Sequence, residues 1–213
     1  MNQLSPDVLS IVVSVLIVLL SLTVHEAAHA WTADRLGDPT ARMLGRVSLN
    51  PLVHIDWIGT VLLPLMSALS GLPLIGWAKP VPVRTSNLRH PRRDFMIVAA
   101  AGPISNLLQA FAAAALLHAV WSPGEALQAP MAFVSALLVA VQINLLLAFF
   151  NLIPVPPLDG GNVLLGLLPP RLAASFGQIR QFGFLILYAL LFTGLASAWI
   201  GPPTDFFMRI LLP

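Results

Sequence analysis

The sequence predicts an all-α integral membrane protein. About four spanning helices are expected, with a re-entrant or interfacial segment at 57–77, a short strand-like loop after it, and a helix broken at 151–159. Three observations carry this. Of 213 residues, 57% are hydrophobic and only 9% charged, where an ordinary soluble domain carries about 25% charged residues. Mean hydropathy is +0.85. The apolar residues run in charge-free stretches close to the ~20 residues that cross a hydrocarbon core, and the basic residues cluster between them.

The same numbers exclude other classes. A disordered chain needs low hydrophobicity and high charge. The net charge of +2 rests on few groups, and no basic run is interleaved with aromatics, so nucleic acid is not an expected partner. Cysteine is absent. Any metal must therefore be held by His and carboxylates.

The first charge-free stretch, Val8 to Val24, runs straight into His25 and Glu26. It lacks a basic leading region, so it reads as a span and not as a signal peptide. Trp57 to Trp77 is apolar but carries Gly59, Pro64, Gly71, Pro73 and Gly76, which interrupt helices. Arg35, Arg42 and Arg46 precede it, and Lys79, Arg84, Arg89, Arg92 and Arg93 follow. Basic loops stay cytoplasmic, so the segment is expected to dip in and return, or to lie in the interface. One short crossing is the alternative. The next stretch, near Phe95–Val120, leads outward to a turn at Trp121–Pro130 that holds Glu125 and no basic residue. Met131–Phe150 returns and breaks at Asn151–Pro157. Arg171 and Arg180 mark a cytoplasmic loop, and Gln181–Ile200 forms the last span. Phe206–Pro213 is left as an open end, an external interfacial tail being one reading. With no internal repeat or soluble segment, residues 1–213 read as one membrane domain. Arg209 is the only basic residue that this topology leaves outside.

Ionisable groups within membrane helices are expensive and are functional candidates by default. His25, Glu26 and His29 lie together in VHEAAHAW. Residues four apart share a helix face, so both imidazoles can reach one metal ion. Glu26, one step on, can reach a water beside it. This is the H-E-x-x-H pattern of zinc hydrolases, with Glu as general base. Snorkelling of polar groups at a helix end is the plainer alternative. A catalytic zinc takes three protein ligands and a water, so a third donor is needed. Asp159 is the strongest candidate. It lies in NLIPVPPLDGG, where Pro154, Pro156 and Pro157 forbid a regular helix and Gly160 and Gly161 allow a tight turn. A simple loop turn with Asp159 as a helix cap explains the same letters.

HEAAH on the first helix, GPISN (Gly102–Asn106) on a middle one and NLIPVPPLDGG (Asn151–Gly161) together resemble the site-2 protease family of intramembrane zinc metalloproteases. The flanking LNPLVHID (Leu49–Asp56) and GWAKPVPV (Gly76–Val83) are similar to its compact bacterial and archaeal members. The resemblance runs from about Leu19 to Tyr188. It implies that His25, His29 and Asp159 ligate one zinc per chain and that Glu26 is the catalytic base. It further implies cleavage of transmembrane segments of other proteins near the cytoplasmic side, from a multi-pass position in the cell (inner or plasma) membrane. Lipid bilayer and transmembrane substrates are then the expected partners. Two departures are visible: Ala28 stands where Gly is frequent, and Asn162 where a basic residue is common.

Supporting residues follow. Asn106 is a candidate for stabilising an oxyanion or holding substrate backbone, with an interhelical hydrogen bond as the alternative. Asn144 and Asn151 are seven apart and share a face, so they point into one cavity or pair helices. His54 and Asp56 form a second metal site, a partner for a zinc ligand, or a loop turn. Gly76–Val83 has strand-like residues limited to an edge by its prolines. Two other classes compete. A transporter also uses broken helices, but needs no Glu between two metal-binding His. A dead scaffold should have lost one of the four key residues, and all four are here.

Overall fold

Backbone groups in an apolar solvent must bond within their own segment, so long apolar stretches become helices. In the computed structural model, which describes residues 8–62, 66, 78–121 and 128–213, they do. Helix α1 is Val8–Arg35 and a short α2 is Thr40–Met43. Helix α3 is Pro91–Val120 and α4 is Met131–Asn151. Helices α5 (Asp159–Leu167), α6 (Pro170–Ile179), α7 (Gly183–Phe192) and α8 (Leu195–Leu211) complete the chain. No strand occurs among the described residues.

Four helical runs are long and apolar enough to cross a membrane: Leu9–Arg35, Pro91–Val120, Met131–Asn151 and Pro170–Phe192. Three agree with the expected spans. The fourth starts earlier than expected. Arg171 and Arg180 do not mark a loop; they lie in a continuous helical run through α6, a short 3-10 turn and α7. Pro170 stands in the first turn of α6, where its missing N–H costs nothing. The chain then turns at Thr193–Gly194, which divides the expected Gln181–Ile200 span into α7 and α8. The end of the chain, left open in the sequence, is helical to Leu211. Helix α8 packs against α4, and its Leu211 carbonyl lies 3.0 Å from the His118 ring Nε2.

Helix α3 lies at the centre, against α1, α4 and α5. Much of what packs between the helices is small or polar: Ala27, Ala30, Ala33, Ala99, Ala110, Ala114 and Ala148 are buried, as are Ser21, Asn106 and Asn144, beside a larger apolar cluster that includes Leu117, Val141 and Leu145. What faces out is large and apolar, including Leu9, Val15, Leu20, Leu108, Phe133, Leu185 and Phe192. Water would not tolerate that much continuous apolar surface, whereas lipid does, and small residues let helices approach closely.

The apolar segment at 57–77 lies mostly outside the described residues. Its start, Trp57–Leu62, is one wide π-helical turn. Asp56 caps it by accepting from the Ile58 and Gly59 N–H groups at 3.0 and 2.8 Å. Of the strand-like Gly76–Val83, residues 78–83 are described, and they run without secondary structure.

Candidate metal centre

Three side chains from two distant parts of the sequence converge. His25 and His29 come from one face of α1, and Asp159 from the first turn of α5. His25 Nε2 lies 3.0 Å from His29 Nε2. Asp159 Oδ2 lies 3.1 Å from the first and 3.4 Å from the second. All are poorly exposed, His25 and His29 at 3% and 8%.

The outer ring nitrogens decide what the inner ones present. His25 Nδ1 lies 2.6 Å from the Asn106 side-chain oxygen, and His29 Nδ1 lies 2.7 Å from the Val98 carbonyl. Both partners are oxygens, so each Nδ1 carries the proton and donates. In neutral rings each Nε2 then carries a lone pair, and both face a carboxylate oxygen that has no hydrogen bond. Three electron-rich atoms at this spacing repel unless a cation sits between them. Zinc fits: its bonds of ~2.0–2.1 Å place tetrahedral ligands about 3.4 Å apart.

Asn106 is itself held. Its Nδ2 donates to Asn144 Oδ1 at 2.9 Å. Asn144 Nδ2 donates to Ser21 Oγ and to the Ala140 carbonyl, each at 3.0 Å. The chain of bonds leaves α1 at His25, crosses α3 and α4, and returns to α1 at Ser21. All four residues are buried. The packing behind this is a pair of four-residue stripes, the commonest way helices mesh. Ser21, His25 and His29 on α1 face Val98, Gly102 and Asn106 on α3. Gly102 is required by clearance: a methyl group there would strike the Nε2 atoms of both rings.

Asp159 is delivered by the break after α4. The chain turns through Leu152–Leu158 and lies against the start of α5 so closely that a Cβ on Gly160 would meet the Leu152 and Ile153 backbone. The two glycines after Asp159 are thus the condition for its position.

The remaining candidates fall elsewhere. Glu26 is buried at 9% exposure and is not one of the three converging donors. Asn151 bonds back to Leu147 O of its own helix at 2.9 Å, away from Asn144's network. His54 is buried in the loop after α2, its Nε2 2.9 Å from Ser48 O. Three contributors escaped the sequence reading. Ser21 was signalled by its four-residue spacing from His25. The Val98 carbonyl carries no letter at all. Arg46 is 5% exposed yet donates to the Lys79 carbonyl.

Comparisons with known proteins show which family the chain is similar to. The family model described as Peptidase family M50 matches residues 119–193, which include Asp159. YwhC of Bacillus subtilis (strain 168), whose name assigns it provisionally to the zinc metalloproteases, is 38% identical over 192 residues, covering 88% of this chain and 84% of that protein. The Rip2 proteins of Mycolicibacterium smegmatis and Mycobacterium tuberculosis (strain H37Rv), provisionally named in the same way, are 34% and 33% identical over 183 residues, covering 85% of this chain and 67% of each relative. No solved structure matches significantly. With YwhC 38% identical over most of both chains, the chain belongs to peptidase family M50, the site-2 protease family of zinc metalloproteases.

Proposed function

We propose that this chain is a zinc-dependent intramembrane endopeptidase. It hydrolyses a peptide bond in a locally unwound transmembrane segment of another membrane protein, near the cytoplasmic face of the cell membrane. Residues 1–213 act as one protease domain. His25, His29 and Asp159 hold a single zinc, and Glu26 is the base. The observation that carries this reading is the convergence of three lone-pair donors at zinc spacing, on helices whose outer surface suits lipid.

Zinc, when bound, supplies Lewis-acid polarisation of the scissile carbonyl and makes a water acidic enough to ionise near neutral pH. Glu26 takes a proton from the attacking water and passes it to the leaving amine as the C–N bond breaks. Asn106 keeps His25 in the tautomer that offers Nε2, and Val98 does the same for His29. With both ends of its amide engaged, Asn106 serves better as a ligand positioner than as an oxyanion donor, and Asn144 supports it. The orientation follows from the basic loops: it sets the ends of α1 and α3 that carry Arg35, Arg92 and Arg93 on the cytoplasmic side.

A helix shields its peptide bonds, so substrate must enter extended. The chain at Lys79–Val83 is suited to pair with it as an added strand. Pro80 and Pro82 lack N–H groups, which leaves Val81 and Val83 as donors. Converting both valines to proline should reduce cleavage and leave zinc content unchanged.

The decisive experiment is purification in detergent, zinc analysis and a helix-cleavage assay, comparing wild type with Glu26→Gln. Zinc in both proteins and cleavage only by wild type is expected, with a loss of at least ~10² in rate. Equal cleavage by both would sink the proposal.

A further inference from the structure

The extended segment is anchored at both ends and free in the middle. At its start, the Lys79 N–H donates to His54 O at 2.9 Å, and the Lys79 carbonyl accepts from the Arg46 guanidinium. At its end, the Arg84 N–H donates to Asp38 Oδ2 at 2.6 Å. Between these points, Pro80–Val83 makes no backbone hydrogen bond among the described residues. Val81, Pro82 and Val83 are half-buried, so the stretch lies against the protein and does not stand out as a free loop.

Both anchors are buried charges, at 0% and 5% exposure for Asp38 and Arg46. A buried charge is expensive unless it is engaged; the Arg46 guanidinium meets the Lys79 carbonyl through one nitrogen, while its buried Nε has no hydrogen-bond partner among the described residues. Asp38 also accepts from Thr40 N, Thr40 Oγ1 and Asn87 Nδ2, at 3.2, 2.5 and 2.9 Å. It therefore ties the corner after α1 to the approach to α3. The Arg46 backbone N–H is fixed to Ala41 O at 2.9 Å, so the side chain starts from a rigid point. Arg46 also lies near the proposed base. Burial lowers its guanidinium below the ordinary value, and the Glu26 carboxylate acts in the opposite direction.

We propose that Arg46 and Asp38 are positioning residues that hold Lys79–Arg84 straight and unpaired, so that the Val81 and Val83 backbone meets an extended substrate without first being ordered. A chain pre-set in its binding conformation avoids the ordering cost on association. This rests on the strand-pairing reading given above.

Two zinc-directed probes separate the ideas. Acetohydroxamate contacts the metal site alone. A tetrapeptidyl hydroxamate adds an extended backbone, and its fully N-methylated form replaces each backbone N–H donor with an N-methyl group. In the wild-type chain the tetrapeptidyl probe should bind at least about tenfold tighter than its N-methylated form, a loss of one to two backbone hydrogen bonds. Arg46→Met and Asp38→Asn should each cut that advantage several-fold while acetohydroxamate affinity and zinc content stay unchanged. Arg46→Lys, which retains charge and a donor, should restore most of it. A merely packing role would be met by Met as well as by Lys. An unchanged advantage in both Arg46→Met and Asp38→Asn overturns the positioning proposal alone. Equal wild-type binding of the two peptidyl probes overturns strand pairing and the proposal with it. Failure of wild type to bind acetohydroxamate overturns the metal reading beneath both. Should one variant lose zinc, the other anchor, at the opposite end of the segment, decides.

Discussion

His25 and His29 stand on an unbroken helix, and each has its outer nitrogen engaged, by Asn106 and by Val98. Asp159 stands where a helix has been broken, and its Oδ2 has no hydrogen bond. One half of the centre is thus set by helix register and neighbouring bonds. The other is set only by where the chain Leu152–Leu158 and two glycines put it. Two ligands four residues apart come almost free from an α-helix. The third must come from elsewhere, and here it follows the break that ends α4. Breaking that helix lets a short side chain reach in, at the cost of a site that is less restrained on that side.

The strongest way to break the rigid half is Gly102→Ala. The added methyl meets both imidazoles, and the rings cannot back away, because Asn106 holds His25 one turn further along α3 and Val98 holds His29 one turn before. Zinc content of the purified protein should fall close to zero while helix content by circular dichroism stays near wild type. Full zinc retention would show that the rings are freer than their bonds suggest.

A smaller effect is expected from Asn106→Leu, which removes the acceptor for His25 and leaves the ligand in place. Loss of such a supporting group typically lowers metal affinity by about 10–100-fold. Chelator competition should place the variant in that range, with Asn144→Leu nearer its lower end. A change as large as that of Gly102→Ala would mean that Asn106 sets the fold of the site and not just the ring. Ser21→Ala should be milder still. Asn144 Nδ2 keeps its bond to Ala140 O, so about 0.5–1 kcal/mol of stability is at stake and zinc affinity should move only a few-fold.

The same contrast explains what was legible. The spans could be read because lipid demands unbroken apolar runs, which are a matter of composition. Asp159 and the two histidines could be read because spacing and prolines are written in the sequence. Arg171 and Arg180 misled because a charge looks the same in a loop and on a helix that leaves the membrane. Val98 was invisible because its contribution is a backbone carbonyl. Asp38 and Arg46 were invisible for another reason. Their partners, Arg84 and Lys79, lie 46 and 33 residues away, and no local pattern announces which loop will receive which charge.

The smallest expected effect lies at Asp38, and it tests whether that corner is held by charge. Burial alone would raise its carboxyl group, but the bonds from Thr40, Asn87 and Arg84 outweigh burial and hold it below the ordinary aspartate range. The folded chain therefore binds the proton less readily than the unfolded chain does. The stability this contributes is complete above the unfolded value of ~3.9 and is lost as pH falls through the lower folded value. Between pH 5 and 7, on the order of ordinary working conditions, hydrogen exchange at the Arg84 amide should not change its protection, and below the aspartate range protection should fall. Asp38→Asn should remove that acid-dependent step and exchange faster than wild type at neutral pH, because an amide oxygen is a weaker acceptor than a carboxylate. If wild type and variant respond to acid alike, the corner is held by its backbone turns. The comparison would then shift: the Asp159 side of the centre and the corner after α1 would both depend on chain geometry, and only the α1–α3 stripe on specific side-chain bonds.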